Sequence, residues 1–269
     1  MTFVVDVVSE DSFYENICLG LTKLLENTPG VQGIELEKRL PCERMLISSW
    51  EQRHLCSLPE DLRQFYSSTD GFRLIWNYEY AALDEILGEV LPIGNLRINS
   101  IAELKRLAGV KSSGDAECPN LLDIEICNQS EPRSTKPNFG SKCKVFELDP
   151  CQNVAKVCLV YMEKPEGDTR KEEPKIWLLD RSYEWHFLAD TFTQYFRMML
   201  VHQGLPQWQF RFTPMGLTPW AEQMMFMICP HLLAEQEVKS PRFDPSLNQI
   251  DPSIFKTRNK SSKQKKGDK

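Results

Sequence analysis

The stretch from Ile176 to Gln209, IWLLDRSYEWHFLADTFTQYFRMMLVHQGLPQWQ, limits the possible folds more than any other part of the chain, because it reads as a buried strand running straight into a long aromatic helix. Leu188, Phe192, Tyr195, Phe196 and Met199 recur at i, i+4, i+7, i+8 and i+11 as one apolar stripe, with Asp190, Gln194 and Arg197 on the opposite face. Such a helix must dock on a core. Gly204 stands where a left-handed C-terminal residue is needed and Pro206 blocks continuation. Leu205 to Gln209 is therefore expected to leave as extended chain, carrying Trp208 outward or under a neighbour. Nothing in the block is a catalytic motif.

The remaining periodicity predicts alternating helix and strand. Ser12-Phe-Tyr-Glu15 resembles a capping box for one helix with Phe13, Ile17, Leu21, Leu24 and Leu25 on a face, closed by Pro29-Gly30. A strand from Val31 to Leu36 follows, then a helix from Met45 to His54 with Trp50 on its face. Pro59 opens a further helix bearing Leu62, Phe65 and Tyr66, ended by Asp70-Gly71. Phe72 to Tyr80 and Leu91 to Ile98 read as strands, and Ser100-Ile-Ala-Glu103 as a second capping box launching a helix with Leu104 and Leu107. Residues 109–142 lose periodicity and read as a surface insertion in which only Leu121 to Ile126 is expected to be ordered. Lys144 to Asp149 and Lys156 to Tyr161 predict a hairpin, the second strand apolar enough for both its faces to be covered. Thr218-Pro219 supplies the cap and first turn of a last helix carrying Trp220, Met224 and Met227, and order is expected to decay beyond His231.

Charge and cysteine usage bound the function. Lys256 to Lys269 holds seven basic residues against Asp268, so this tail carries +6 and the first 255 residues of a chain of net charge −6 carry −12. That acidic body opposes nucleic-acid binding, and the tail reads as a disordered basic arm. Nine cysteines, an odd number with no pair closer than seven positions, fit neither a disulfide framework nor zinc-ligand spacing and read as reduced, mostly buried thiols. The apolar run Phe3 to Val8 is broken by Asp6 and lacks a basic leader, so an intracellular protein is expected, which discounts the sequons at Asn128 and Asn259.

Chemistry is hard to place on this chain. No P-loop, dinucleotide fingerprint or nucleophile elbow occurs, and the histidines at 54, 186, 202 and 231 lack metal-ligand spacing, so neither cofactor nor metal is expected. His202 lies at a helix end, where carbonyl dipoles favour an imidazolium, and His186, between Trp185 and Phe187, reads as packed or capping. Glu60 and Asp61 resemble a carboxylate pair for acid and base work, but they occupy a helix's first turn, where negative charge is favoured anyway, and that reading wins. Met224, Met225 and Met227 read as core filler or an adaptable surface. Trp208, with Gln209, reads as an interface anchor or as core. A cysteine nucleophile at Cys56 or Cys158 would need an accessible, electropositive setting, which a buried strand does not offer Cys158.

MLISSWEQ at Met45, LPEDLRQFYSSTDGF at Leu58, LPIGNLRINSI at Leu91, Phe146 to Asp149 with Lys156 to Tyr161, and the Ile176 to Gln209 block together resemble the tubulin polyglutamylase complex subunit 2 family. The likeness runs from about Ile17 to Phe212. Leu58-Pro59 to Asp70-Gly71 is also similar to the signature of the SUKH (Smi/Knr-type) superfamily. The resemblance implies an α+β fold: one SUKH-like domain over residues 12–231, with a central mixed, mostly antiparallel sheet backed by helices. Residues 1–11 would be a variable start, 109–142 an insertion and 232–269 a flexible basic tail. It implies a non-catalytic scaffold whose partners are a tubulin-tyrosine-ligase-like glutamylase, the other complex subunits and tubulin, in the cytoplasm on microtubules, centrosomes or centriolar satellites. A generic SUKH-type adaptor with partners outside the tubulin system is the alternative. Trp208 and Gln209 are the candidate partner-binding residues of the body. Lys263, Lys265 and Lys266 are those of the tail, where screened Coulomb attraction to acidic tubulin tails is set against a merely solubilising role.

Overall fold

Aromatic and β-branched residues from Phe72 to Tyr80 form the central strand of one sheet, β2, flanked by antiparallel β1 (Val31–Leu36) and β3 (Glu89–Ile98). A computed structural model describes residues 10–80, 89–107, 143–162 and 173–233. Trp76 faces Gly94 across the β2–β3 ladder, and a β-carbon at Gly94 would lie 1.8 Å from the indole nitrogen, so only glycine lets the ring lie flat there. Pro92 sits beside a bulge in this ladder, where its missing N–H does least harm.

The second sheet runs β4 (Lys144–Asp149), β5 (Ala155–Tyr161), β6 (Lys175–Asp180) and β7 (Trp185–Ala189), every pairing antiparallel. β5 is buried on both faces as expected: Val157 and Leu159 enter the main core, while Cys158 and Val160 enter a smaller cluster with Trp177 and Trp185 on the other side. Residues 99–107 join the two sheets. Ser100 and Glu103 close the capping box, at 3.3 Å in each direction, but it launches a single turn rather than the expected helix. The following backbone is claimed by β4 instead, through Glu147 N–H to the Lys105 carbonyl at 3.0 Å and Leu107 N–H to Val145 at 2.9 Å. The α+β class is borne out, with two antiparallel sheets connected by this seam.

Helices pack on the sheets through one continuous core reaching from Tyr14 to Cys229. The single amino-terminal helix expected from Ser12 is two: α1 (Glu10–Ile17) and α2 (Leu21–Glu26). Leu19 (φ 52°) and Gly20 (φ 78°) are left-handed between them, and the Gly20 N–H reaches back to the Glu15 carbonyl at 3.3 Å, a helix-ending bond that glycine accepts without strain. The break buries Leu21 and Leu25 and leaves Leu24 outside. α3 (Arg44–His54) and α4 (Glu60–Ser68) follow as predicted, with Leu62, Phe65 and Tyr66 fully buried.

β7 is the strand the helical reading missed, since Leu188 fits both periods. Its hairpin is held by Asp180, whose Oδ1 accepts from Ser182 N–H at 2.8 Å and Glu184 N–H at 2.9 Å. The aromatic helix is therefore short: α5 (Phe192–Val201), with Thr191 as N-cap and Phe192 and Phe196 packed on Phe65 at 4.9 and 5.7 Å. The chain ends its described part in α6 (Pro219–Ile228) and α7 (Pro230–Leu233). The insertion at 109–142 and the tail from Ala234 lie outside the described residues.

Candidate interaction surface

The motif after α5 builds a buried clamp. Gln203 (φ 55°) and Gly204 (φ 66°) turn the chain back, and the carbonyls this exposes are answered by the first sheet: Trp76 Nε1–H donates to Gln203 and Asn95 N–H to Gly204, both at 2.9 Å. Trp208 then stacks against His202 at 4.7 Å and Tyr195 at 5.8 Å. The extended exit expected for Leu205 to Gln209 gives way to a short 3-10 turn, Trp208–Phe212. Trp208 is 1% exposed, and the Gln209 amide donates to the Cys151 sulfur at 3.3 Å inside the protein. Neither side chain offers a partner an anchor. They pin the chain to the core, because the apolar pocket between α5 and the turn buries far more of the indole than the surface would.

His202 is corrected as well. Its Nδ1 lies 2.7 Å from the Met198 carbonyl, which can only accept, so that nitrogen carries the proton. Burial holds its pKa below the usual histidine value, which works against the imidazolium expected from the helix dipole. Asp61, in the first turn of α4, also serves the first turn of α5: Oδ2 accepts from Thr193 N–H at 2.8 Å and from its hydroxyl at 2.9 Å. His186 pairs with Asp180 at 3.0 Å. Asp180, Glu184 and His186 are the one ligand-type cluster among the described residues, and both Asp180 oxygens are already occupied by the hairpin and the histidine.

Position works against thiolate chemistry at the described cysteines. All seven described cysteines are buried, Cys56 and Cys158 among them. Burial pushes Cys18 and Cys42 up to about 12 and Cys229 to about 11, and raises Cys151 and Cys158 strongly as well. Cys118 and Cys127 lie outside the described residues.

What the clamp presents outward is α6. Thr218 Oγ1 caps this helix and donates to the Gln207 amide oxygen at 2.8 Å, tying it to the motif. Ala221, Met224 and Met225 face inward, with the Tyr80 hydroxyl against the Met224 sulfur. The outer face is largely apolar too: Trp220, Phe226 and Met227 are 46%, 66% and 41% exposed beside exposed Glu222 and Gln223, and are preceded by exposed Phe212 and Met215. The methionine group thus divides between core and surface. A helix apolar on both sides normally has cover on both. The signal was legible in PWAEQMMFMI, where only Glu222 and Gln223 are polar. No helix among the described residues is long and apolar enough to cross a membrane.

A sequence model of the SMI1 / KNR4 family (SUKH-1) matches residues 41–198, more than half of the chain. Proteins named tubulin polyglutamylase complex subunit 2 from Rattus norvegicus and Homo sapiens are each 40% identical to it, over 91% of this chain and 81% and 80% of theirs. The chain belongs to this subunit 2 family. A Mus musculus relative of the same name is also 40% identical over 250 residues, and no solved structure matches. The SUKH match runs from just before α3 into α5, so it covers both sheets' pairing strands from β2 onward, while the clamp residues 203–212 and α6 lie beyond it. Lys263, Lys265 and Lys266 lie outside the described residues.

Proposed function

We propose that the chain is a non-catalytic scaffold subunit of the tubulin polyglutamylase complex, working in the cytoplasm on microtubules and holding a ligase-like glutamylase, the other subunits and tubulin near one another. Its effect on rate is then one of effective concentration, since tethering turns a second encounter into an intramolecular one. The names of its relatives support the setting. The apolar outer face of α6 carries the scaffold reading, because three large apolar side chains in water on a capped, rigid helix are what a protein partner covers. Buried thiols and a histidine and carboxylates committed to internal hydrogen bonds agree with a role in which binding is the activity.

The test is co-expression of the full chain with the other complex subunits, comparing the wild type with Phe226→Ser/Met227→Ser. These side chains are already in water, so the variant is expected to keep its melting temperature while losing stoichiometric co-assembly. Unchanged co-assembly removes α6 from the interface, and glutamylation of tubulin with ATP by the purified chain alone overturns the non-catalytic role. The basic tail is a separate contact to acidic tubulin tails, tested by microtubule co-sedimentation at low and high salt with and without residues 256–269. Binding that is equal in all arms rejects it.

A further inference from the structure

The last turn of α3 carries a concentration of positive charge that the composition of this chain does not favour. Arg53 stands there beside Arg106, from the seam between the sheets, and Lys144, at the start of β4, the three grouped around the His54 ring. Contacts hold the group together. The His54 ring packs on Trp50 at 4.7 Å and Phe146 at 4.9 Å, Arg106 bridges to Phe146 through its backbone, and Lys144 Nζ donates to the Leu55 carbonyl at 2.5 Å. Burial lowers the His54 pKa, and Arg53, Arg106 and Lys144 lower it further with no carboxylate acting against them.

The carboxylates of the adjoining elements are engaged elsewhere: Glu51 with Arg63 at 2.5 Å, Glu103 with Arg97 at 3.2 Å and Glu147 with Lys156 at 2.5 Å. Among the described residues, Arg53, Arg106 and Lys144 have no carboxylate within ion-pair distance. Arg106 gives one terminal nitrogen to the Cys143 carbonyl at 3.2 Å and keeps a buried Nε–H with no acceptor. Cations at a helix's carbonyl end explain Arg53 and Lys144 singly. They do not explain a third cation with an unanswered donor, on a body of charge −12 where acids are in excess.

We propose that Arg53, His54, Arg106 and Lys144 form a docking site for a glutamate-rich peptide, an assignment that rests on the chain being a polyglutamylase subunit. Guanidinium and ammonium groups answer carboxylates with charge-assisted hydrogen bonds, and Leu55, 81% exposed at the rim, adds an apolar contact for the peptide's stems. A short flexible peptide meets only the charges within roughly a Debye length, about 8 Å at physiological ionic strength, so the local cluster outweighs the acidic remainder. A nucleic acid extends its phosphates across that remainder and is repelled by it.

The experiment titrates a labelled oligoglutamate peptide with the full chain and follows fluorescence anisotropy, alongside an oligonucleotide of equal charge. Arg53→Glu/Lys144→Gln is expected to weaken peptide binding about tenfold, the sum of two exposed charge pairs, while Lys23→Glu on α2 leaves it unchanged. Should the double variant not fold, the exposed single reversal Arg53→Glu is expected to cost roughly threefold. Equal affinity of wild type and cluster variant overturns the site, as does an oligonucleotide bound as tightly as the peptide. Co-assembly with the other subunits is measured on the unmodified chain in parallel: its absence refutes the complex-subunit reading, and its presence with no peptide binding refutes the docking site alone.

Discussion

Gly204→Ala should be among the most damaging single-methyl additions in this protein, and the structure separates its cost into two parts. Gly204 has φ 66°, and a β-carbon there would lie 2.4 Å from Leu96 Cδ1 and 2.8 Å from the Asn95 carbonyl carbon. The backbone part is the left-handed penalty, about 1 kcal/mol for a residue with a β-carbon. The packing part is the harder one, because a leucine methyl can shift but the Asn95 backbone is held in β3 and bonded to Gly204 itself. Overpacking of this kind costs about 1–3 kcal/mol, so about 2–4 kcal/mol is expected in all. Gly216→Ala is the control: its φ is 69° and nothing lies within 4 Å of the added carbon, so it bears the backbone part alone. Urea unfolding of the two variants should therefore differ in midpoint at equal slope, with Gly204→Ala lower by about 1–3 kcal/mol. Equal destabilisation would refute the claim that the clamp is packed against β3, leaving only dihedral strain.

Three further outcomes follow from the same geometry. Trp208→Ala is expected to cost about 3–5 kcal/mol in stability, where removal of a surface anchor would cost almost nothing, and thermal unfolding distinguishes the two. Asp61→Ala should cost about 1–2 kcal/mol by leaving the Thr193 N–H in the first turn of α5 without its acceptor, and Thr193→Val should be no further destabilising in the Asp61→Ala background; additive losses in that double-mutant cycle would show that the two do not interact. Burial raises Asp149 to about 6 against hydrogen bonds from Cys151 N–H and the Tyr195 hydroxyl, so the folded state binds its proton more tightly than the unfolded one. Stability conferred by this group is thus full below about pH 4 and is lost as pH rises to about 6, the reverse of a salt-bridged carboxylate. Wild type minus Asp149→Asn should fall across that interval in melting experiments, and parallel profiles would contradict the raised value.

Much of this fold could be read locally, and the misses share a cause. α4 was legible because Pro59, the acidic first turn and Asp70-Gly71 mark both ends within a dozen residues, and β5 because four successive apolar side chains need cover on two faces. The break at Gly20 carried a local signal too, a glycine able to end a helix, which the continuous leucine stripe concealed. The capping box at Ser100 formed its hydrogen bonds and still launched no helix, because the next N–H and C=O groups met β4 first. The carboxylate at Asp61 was correctly placed in a first turn, but its second helix lies 132 positions away in sequence.

From its sequence alone the chain determined its family, its α+β class, the reduced state expected of its thiols and the two-sided apolarity of α6, all properties carried by residue types at fixed spacing. Tertiary structure alone decided that Trp208 is a pin and not an anchor, that burial disfavours a charged His202, and that Arg53, Arg106 and Lys144 stand together. Those outcomes depend on which groups from distant segments compete for one hydrogen bond, one pocket or one counter-charge, and a side chain's neighbours in space are fixed only when the backbone between them has folded.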